Sequence, residues 1–163
     1  MGEGVRGCGY RKSVHHKNWQ EPKITAIALS YLAGLIDGDG SILILKRDRT
    51  GRGSLSFTVT VKVGGETEHI TKLATQYGIG NVWVRKKVGL KHLAEWTIAG
   101  NQARWLLNAI KPYLQLKNPQ ACVALAMPQC RSRWDATAKL RAIQHTCHLQ
   151  MKQLNHAKGR GSI

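Results

Sequence analysis

Two aspartates separated by one glycine, Asp37 and Asp39, close an otherwise uncharged run, Leu32-Ala-Gly-Leu-Ile-Asp-Gly-Asp-Gly40. Carboxylates interleaved with Gly38 and Gly40 offer hard oxygen donors, and such a set suits a divalent cation. Position sharpens the point. If the run is helical, the acids stand at its C-terminus, where the macrodipole opposes negative charge by a few tenths to about 1 kcal/mol. A bound cation would offset that cost. The same residues also read as a glycine-rich turn after a core helix, with Asp39 capping a loop.

The element that must carry these acids is a helix predicted from Thr25, a plausible N-cap, to Asp37, where the glycines stop it. Leu29, Leu32, Ala33 and Ile36 fall at i, i+3, i+4 and i+7 and form a core stripe. Ala26, Ser30, Gly34 and Gly38 recur every fourth position along another ridge. A ridge almost free of side chains lets a second helix approach backbone to backbone, as small-xxx-small ridges do in membranes. Two buried faces on one helix are therefore expected.

Charge names the class of partner. The 163 residues hold 25 Lys and Arg against 9 Asp and Glu, a formal charge of +16, and the pI is about 10.2. That surplus points to a polyanion, with nucleic acid first and an anionic membrane surface second. No apolar run approaches the ~20 residues needed to span a bilayer, and no signal-peptide pattern opens the chain. The four cysteines, Cys8, Cys122, Cys130 and Cys147, contain no Cys-x-x-Cys pair, so a zinc ribbon is not indicated. A reduced, intracellular protein is expected. His145, Cys147 and His148 are close in sequence but cannot all face one ion from a helix.

Along the chain, residues 1–23 form a basic arm without periodicity. A strand over Ser41–Asp48 follows the acidic motif, and Arg49–Gly53 forms a basic hairpin tip. The next strand alternates strictly, with Leu55, Phe57, Val59, Val61 and Val63 on one side and Ser54, Ser56, Thr58, Thr60 and Lys62 on the other. Hydroxyls flanked by Arg47, Arg49 and Arg52 suit the major groove of DNA, where Ser and Thr reach base edges and Arg pairs with guanine; a plain solvated face has the same composition. Gly64-Gly65 is expected to break the strand, with a helix over Glu66–Tyr77. Two more strands, Asn81–Lys87 and Leu93–Ile98, send Trp83, Arg85, Lys87, Glu95 and Thr97 outward, and edge packing is the alternative for Trp83. A helix capped by Asn101 ends at Pro112. Residues 118–127 form a short helix, and a basic helix over about Trp134–His156 places Leu140, Ile143, Cys147, Met151 and Leu154 on its apolar side. The result is an α+β chain: a basic arm over 1–23, an αββαββα core over 24–127 with an antiparallel four-stranded sheet as a saddle for DNA, and a basic helical extension over 128–163.

The run Leu32–Gly40 resembles the signature of the LAGLIDADG homing endonucleases, matching eight of nine letters with Gly38 in place of the second Ala. The stretch Pro112-Tyr-Leu-Gln-Leu-Lys117 is similar to the family's basic active-site segment, and the resemblance covers roughly residues 25–121. It implies that Asp39 and the Gly38 carbonyl bind metal, that Asp37 supports the helices, and that Lys117 steadies the scissile phosphate or its water. It also implies site-specific hydrolysis of double-stranded DNA across the minor groove of a long pseudo-palindromic site. Mg2+ is the implied ion, with Mn2+ as a substitute and Ca2+ binding without supporting cleavage. A single motif implies a homodimer whose contact is Ala26, Ser30, Gly34 and Gly38. One position departs from the pattern: Val61 stands where members carry a polar active-site residue, leaving either Lys62 after a register change or no side chain in that role. Two other readings are an RNA-binding intron maturase and a non-catalytic DNA-binding protein, and neither class gives Asp39 the task a nuclease does.

Overall fold

The computed structural model describes residues 11–13, 20–49, 54–85, 93–130 and 137–157. The elements are β1 (Arg11–Ser13), α1 (Ala26–Asp39), β2 (Gly40–Arg49), β3 (Ser54–Glu66), α2 (Thr67–Tyr77), β4 (Asn81–Arg85), β5 (Leu93–Ala99), α3 (Asn101–Ile110), a 3-10 turn (Lys111–Tyr113), α4 (Asn118–Ala126) and α5 (Ala138–Ala157). All pairings are antiparallel, in the order β1-β4-β5-β3-β2. The α+β architecture follows the expected order, and β1 is an addition: three residues of the basic arm pair with β4, Arg11 opposite Trp83. No helix among the described residues is long and apolar enough to cross a membrane.

Alternation decides what the sheet buries. Ile42 and Ile44 of β2, Val59, Val61 and Val63 of β3, and Trp96 and Ile98 of β5 join one core with Leu32, Ile36, Ile70, Leu73, Leu106, Leu107 and Ile110 from the helices. Strands β2, β3 and β5 thus each turn one side to the core and one side away from it, the division that the period-two pattern encodes.

Several boundaries differ from the sequence reading. The Gly64-Gly65 pair does not break β3; the strand continues through both, opposite Glu95 and Ala94. A Cβ on Gly65 would lie 3.3 Å from the Ile70 side chain, so this glycine makes room for α2. Asn101 is the first residue of α3 and makes no cap; Gly100, with φ +64, holds the cap position. The buried side of α5 is Gln144, Cys147 and Met151, while Ile143 is 43% exposed. Gln144 is buried because its amide donates to the Pro128 carbonyl at 2.9 Å.

The helix α5 also seals an edge. β2 ends the sheet, and such a strand presents unpaired carbonyls. Asn155 donates to the Ile42 carbonyl at 3.1 Å. Nδ1 of His148 lies 2.7 Å from the Ile44 carbonyl, and because a carbonyl only accepts, the proton sits on Nδ1. The histidines are thus engaged in packing, with His145 and His148 both against the Phe57 ring.

Candidate active site

The acidic run ends as a helix and not as a turn. α1 continues through Gly38 to Asp39, two residues beyond the expected stop, and passes straight into β2 at Gly40 with φ −87 and ψ 174. Neither Gly38 nor Gly40 has positive φ. Gly40 is required by space: a Cβ there would lie 2.7 Å from the Ile36 Cα, 2.9 Å from the Ile36 carbonyl oxygen and 3.2 Å from that of Lys62. The strand leaves the helix so tightly that only hydrogen fits.

The two aspartates go to different places. Asp39 and Gly38 are exposed at the end of α1. Asp37 is 8% exposed and accepts three consecutive backbone N–H groups, from Gln115 at 2.6 Å, Leu116 at 3.1 Å and Lys117 at 2.8 Å. Burial by itself would push the Asp37 carboxyl up, but these donors and the Lys117 charge outweigh it and hold the group below its ordinary value.

Lys117 returns the contact. Its ammonium donates to the carbonyls of Ile36 and Asp37, each at 2.6 Å. The Asp37 carbonyl is one of those that a helix leaves unpaired at its C-terminus, and the Ile36 carbonyl accepts the Gly40 N–H as well. No basic residue occupies the last turn of α1, so the cation that compensates the helix end arrives from a distant segment, immediately before α4. The structure thus joins the two sequence-predicted catalytic residues at one helix tip: Lys117 grips it and Asp39 projects from it.

The small-residue ridge is open. Ala26, Ser30, Gly34 and Gly38 are all exposed, and a Cβ on Gly34 or Gly38 would meet nothing within 4 Å. Ile27 and Tyr31 flank the ridge at 84% and 51% exposure, and Leu116 is 61% exposed. Only one face of α1 is buried within the chain; the expected second face has no covering element among the described residues.

No protein-family model matches the sequence. Among curated proteins, the DNA endonuclease I-CreI of Chlamydomonas reinhardtii is 33% identical over 101 residues, 60% of each chain. The chain thus spans about 60% of the length of the curated relative that it matches. The homing endonuclease I-CvuI, solved with the I-CreI target in the presence of magnesium, gives a TM-score of 0.66 at 22% identity, covering 78% of this chain and 82% of that one. The archaeal intron-encoded homing endonuclease I-Vdi141I, solved with DNA, gives 0.62 at 13% identity, with 78% and 84% covered. The LAGLIDADG homing endonuclease I-GzeII, solved with a DNA target, gives 0.53 at 9% identity, with 76% and 43% covered. The fold is that of the LAGLIDADG homing endonucleases.

On this LAGLIDADG fold, the sheet face away from the core carries most of the remaining candidates. Arg47 is exposed and Ser56 and Thr58 are half-buried. Trp83 is 38% exposed. Thr60 is a correction: it is 1% exposed, because it lies in an inner strand between Leu43 and Ala99, and its side chain is not offered to a partner. Lys62, Glu95 and Thr97 are not independent contacts. Lys62 and Glu95 form an ion pair at 2.8 Å, and the Thr97 hydroxyl lies 3.3 Å from the same Glu95 oxygen. Arg52 and Lys87 lie outside the described residues, as do the side chains of Arg49, Ser54 and Arg85.

The LAGLIDADG departure at Val61 resolves simply. Val61 is fully buried, opposite Ile42 on one side and Ile98 on the other. The register runs unbroken from Ser54 to Glu66, so no shift moves Lys62 to the other face. Sequence reasoning missed the grip of Asp37 on residues 115–117, because backbone N–H groups some 80 positions away leave no side-chain signal. It also missed Ile27, Tyr31 and Leu116, whose exposure depends on what the fold leaves uncovered.

Proposed function

We propose that the chain is a site-specific endonuclease for double-stranded DNA that works as a homodimer. The observation that carries this reading is the α1 tip, where an exposed Asp39 carboxylate and the Lys117 ammonium share one helix end beside an uncovered ridge of small residues. The similarity to the DNA endonuclease I-CreI supports it.

The donor chemistry of the tip suits a hard divalent cation, Mg2+ or Mn2+, which takes carboxylate and carbonyl oxygen. Among the described residues one chain offers one exposed carboxylate there, that of Asp39, and no group of three or more His, Cys, Asp or Glu gathers. On this reading the site is shared between two chains. Two chains packed ridge to ridge about a two-fold axis bring both Asp39 carboxylates and both Gly38 carbonyls toward it. Asp39 and the Gly38 carbonyl would hold such a cation, which when bound would supply Lewis-acid chemistry for phosphodiester hydrolysis. Asp39 holds the negative charge in place, Lys117 fixes a positive charge beside it, and the sheet holds the duplex across the tip. Calcium would take the same oxygen donors and is expected not to promote cleavage.

Selection of cleaved duplexes from a randomised library in Mg2+ tests the activity and returns the target. Asp39→Asn should lower cleavage by at least about 10²–10³-fold, the scale of a lost electrostatic stabiliser, with binding retained. Undiminished nicking by that variant would remove Asp39 from the reaction.

A further inference from the structure

We propose that Asp37 is the positioning residue for Lys117, which deepens the nuclease reading and rests on it for its kinetic consequence. Asp37 is too buried to meet a substrate, so any part it plays in the reaction passes through another group. The geometry names that group. Three successive N–H donors, ending with that of Lys117 itself, converge on the one carboxylate and fix the backbone of residues 115–117 against the last turn of α1. The Lys117 side chain then turns back to the same turn, to the carbonyls of Ile36 and Asp37. Residues 37 and 117 therefore hold each other twice: side chain to backbone in one direction, and side chain to backbone in the other.

Each half of the clamp depends on the other. A Lys has a flexible four-carbon stem and does not place its charge unless the backbone that carries it is held. Asp37 provides that hold at a helix end two residues before Asp39. The same carboxylate faces the segment that becomes the N-cap of α4, Lys117, an environment of oriented N–H donors that favours negative charge. An ordinary packing residue would not need three donors from consecutive residues.

The test has a readout independent of cleavage. Full-length protein is treated with an amine-acylating reagent, and the labelling rates of Lys117 and of the exposed Lys46 are followed by mass spectrometry. In wild type the Lys117 ammonium is engaged and labels slowly. Asp37→Asn, which replaces one of the two acceptor oxygens by an NH2 that cannot accept from an N–H group, should raise the Lys117 rate several-fold and leave Lys46 unchanged. Gln115→Pro removes one of the three N–H donors by different chemistry, and Leu114 is already extended at φ −72, ψ 128, as a residue before proline requires. It should act in the same direction. Unchanged labelling in the variants that fold overturns the proposal.

Single-turnover cleavage of the selected duplex gives the kinetic arm. Lys117→Ala should cost about 10²–10³-fold, and the double variant Asp37→Asn/Lys117→Ala should match it within a factor of about 2, because the two act as a unit. Losses that multiply would reduce Asp37 to a structural anchor. If wild type cuts no duplex while Asp37→Asn still frees Lys117 for labelling, the nuclease reading falls and the positioning role stands.

Discussion

At the scale of single residues, charges here act by where they are held. Asp39 is exposed and Asp37 buried although they are two positions apart in one helix, since a rotation of about 200° separates their side chains. The same logic applies on the sheet, where Glu95 holds the Lys62 ammonium at 2.8 Å. That pair is half-exposed, so it adds little to stability, but it takes one cation out of the field that meets a polyanion. Glu95→Gln should release Lys62. The slope of log affinity for non-specific DNA against log salt should then steepen by about 1, the contribution of one further phosphate contact. Filter binding over a salt series measures it, and an unaltered slope would show that Lys62 stays away from phosphate.

At the scale of elements, glycines in one helix-strand unit have opposite reasons. Gly40 is closed in, with its would-be Cβ 2.7 Å from backbone, so Gly40→Ala should destabilise the chain by about 1–3 kcal/mol or more. Gly34 stands open. In the isolated chain Gly34→Ala should stabilise α1 by up to about 1 kcal/mol through helix propensity, whereas Gly34→Leu should split the proposed dimer by holding two ridges apart. Thermal melting reads the first two changes and sedimentation the third. A Gly34→Leu protein that remains dimeric would move the subunit contact elsewhere. The helical periodicity of α1 was legible in the sequence; its true end was not, because Asp39 stays helical only through the close exit at Gly40 and the cap that Lys117 brings from far along the chain.

At the scale of the whole molecule, the governing quantity is a charge of +16 on 163 residues. If the sheet and its flanks make about 6–10 phosphate contacts, affinity for DNA should fall by about 10³–10⁵ between roughly 50 and 200 mM salt. Titrations of a labelled duplex at several salt concentrations check this, and a flat profile would contradict a phosphate-tracking surface. The αββαββα order could be read from alternation and helical spacing because local patterns repeat the burial they produce. Strand β1 could not, since Arg11–Ser13 shows no periodicity and gains its state only by pairing with β4. Nor could the role of α5, whose Asn155 and His148 close the edge of β2 through backbone carbonyls that no residue type announces.

The sequence by itself determined the motif and its acids, the alternation that gives the sheet a buried and an uncovered side, and the positive charge that calls for a polyanion, all being properties of residue type and short-range spacing. Tertiary structure alone decided that Asp37 turns inward to the 115–117 backbone while Asp39 stays out, that Thr60 is buried, and that Lys62 is tied to Glu95. Those outcomes rest on backbone donors, cross-strand neighbours and close approaches between distant segments, which exist only once the chain has folded.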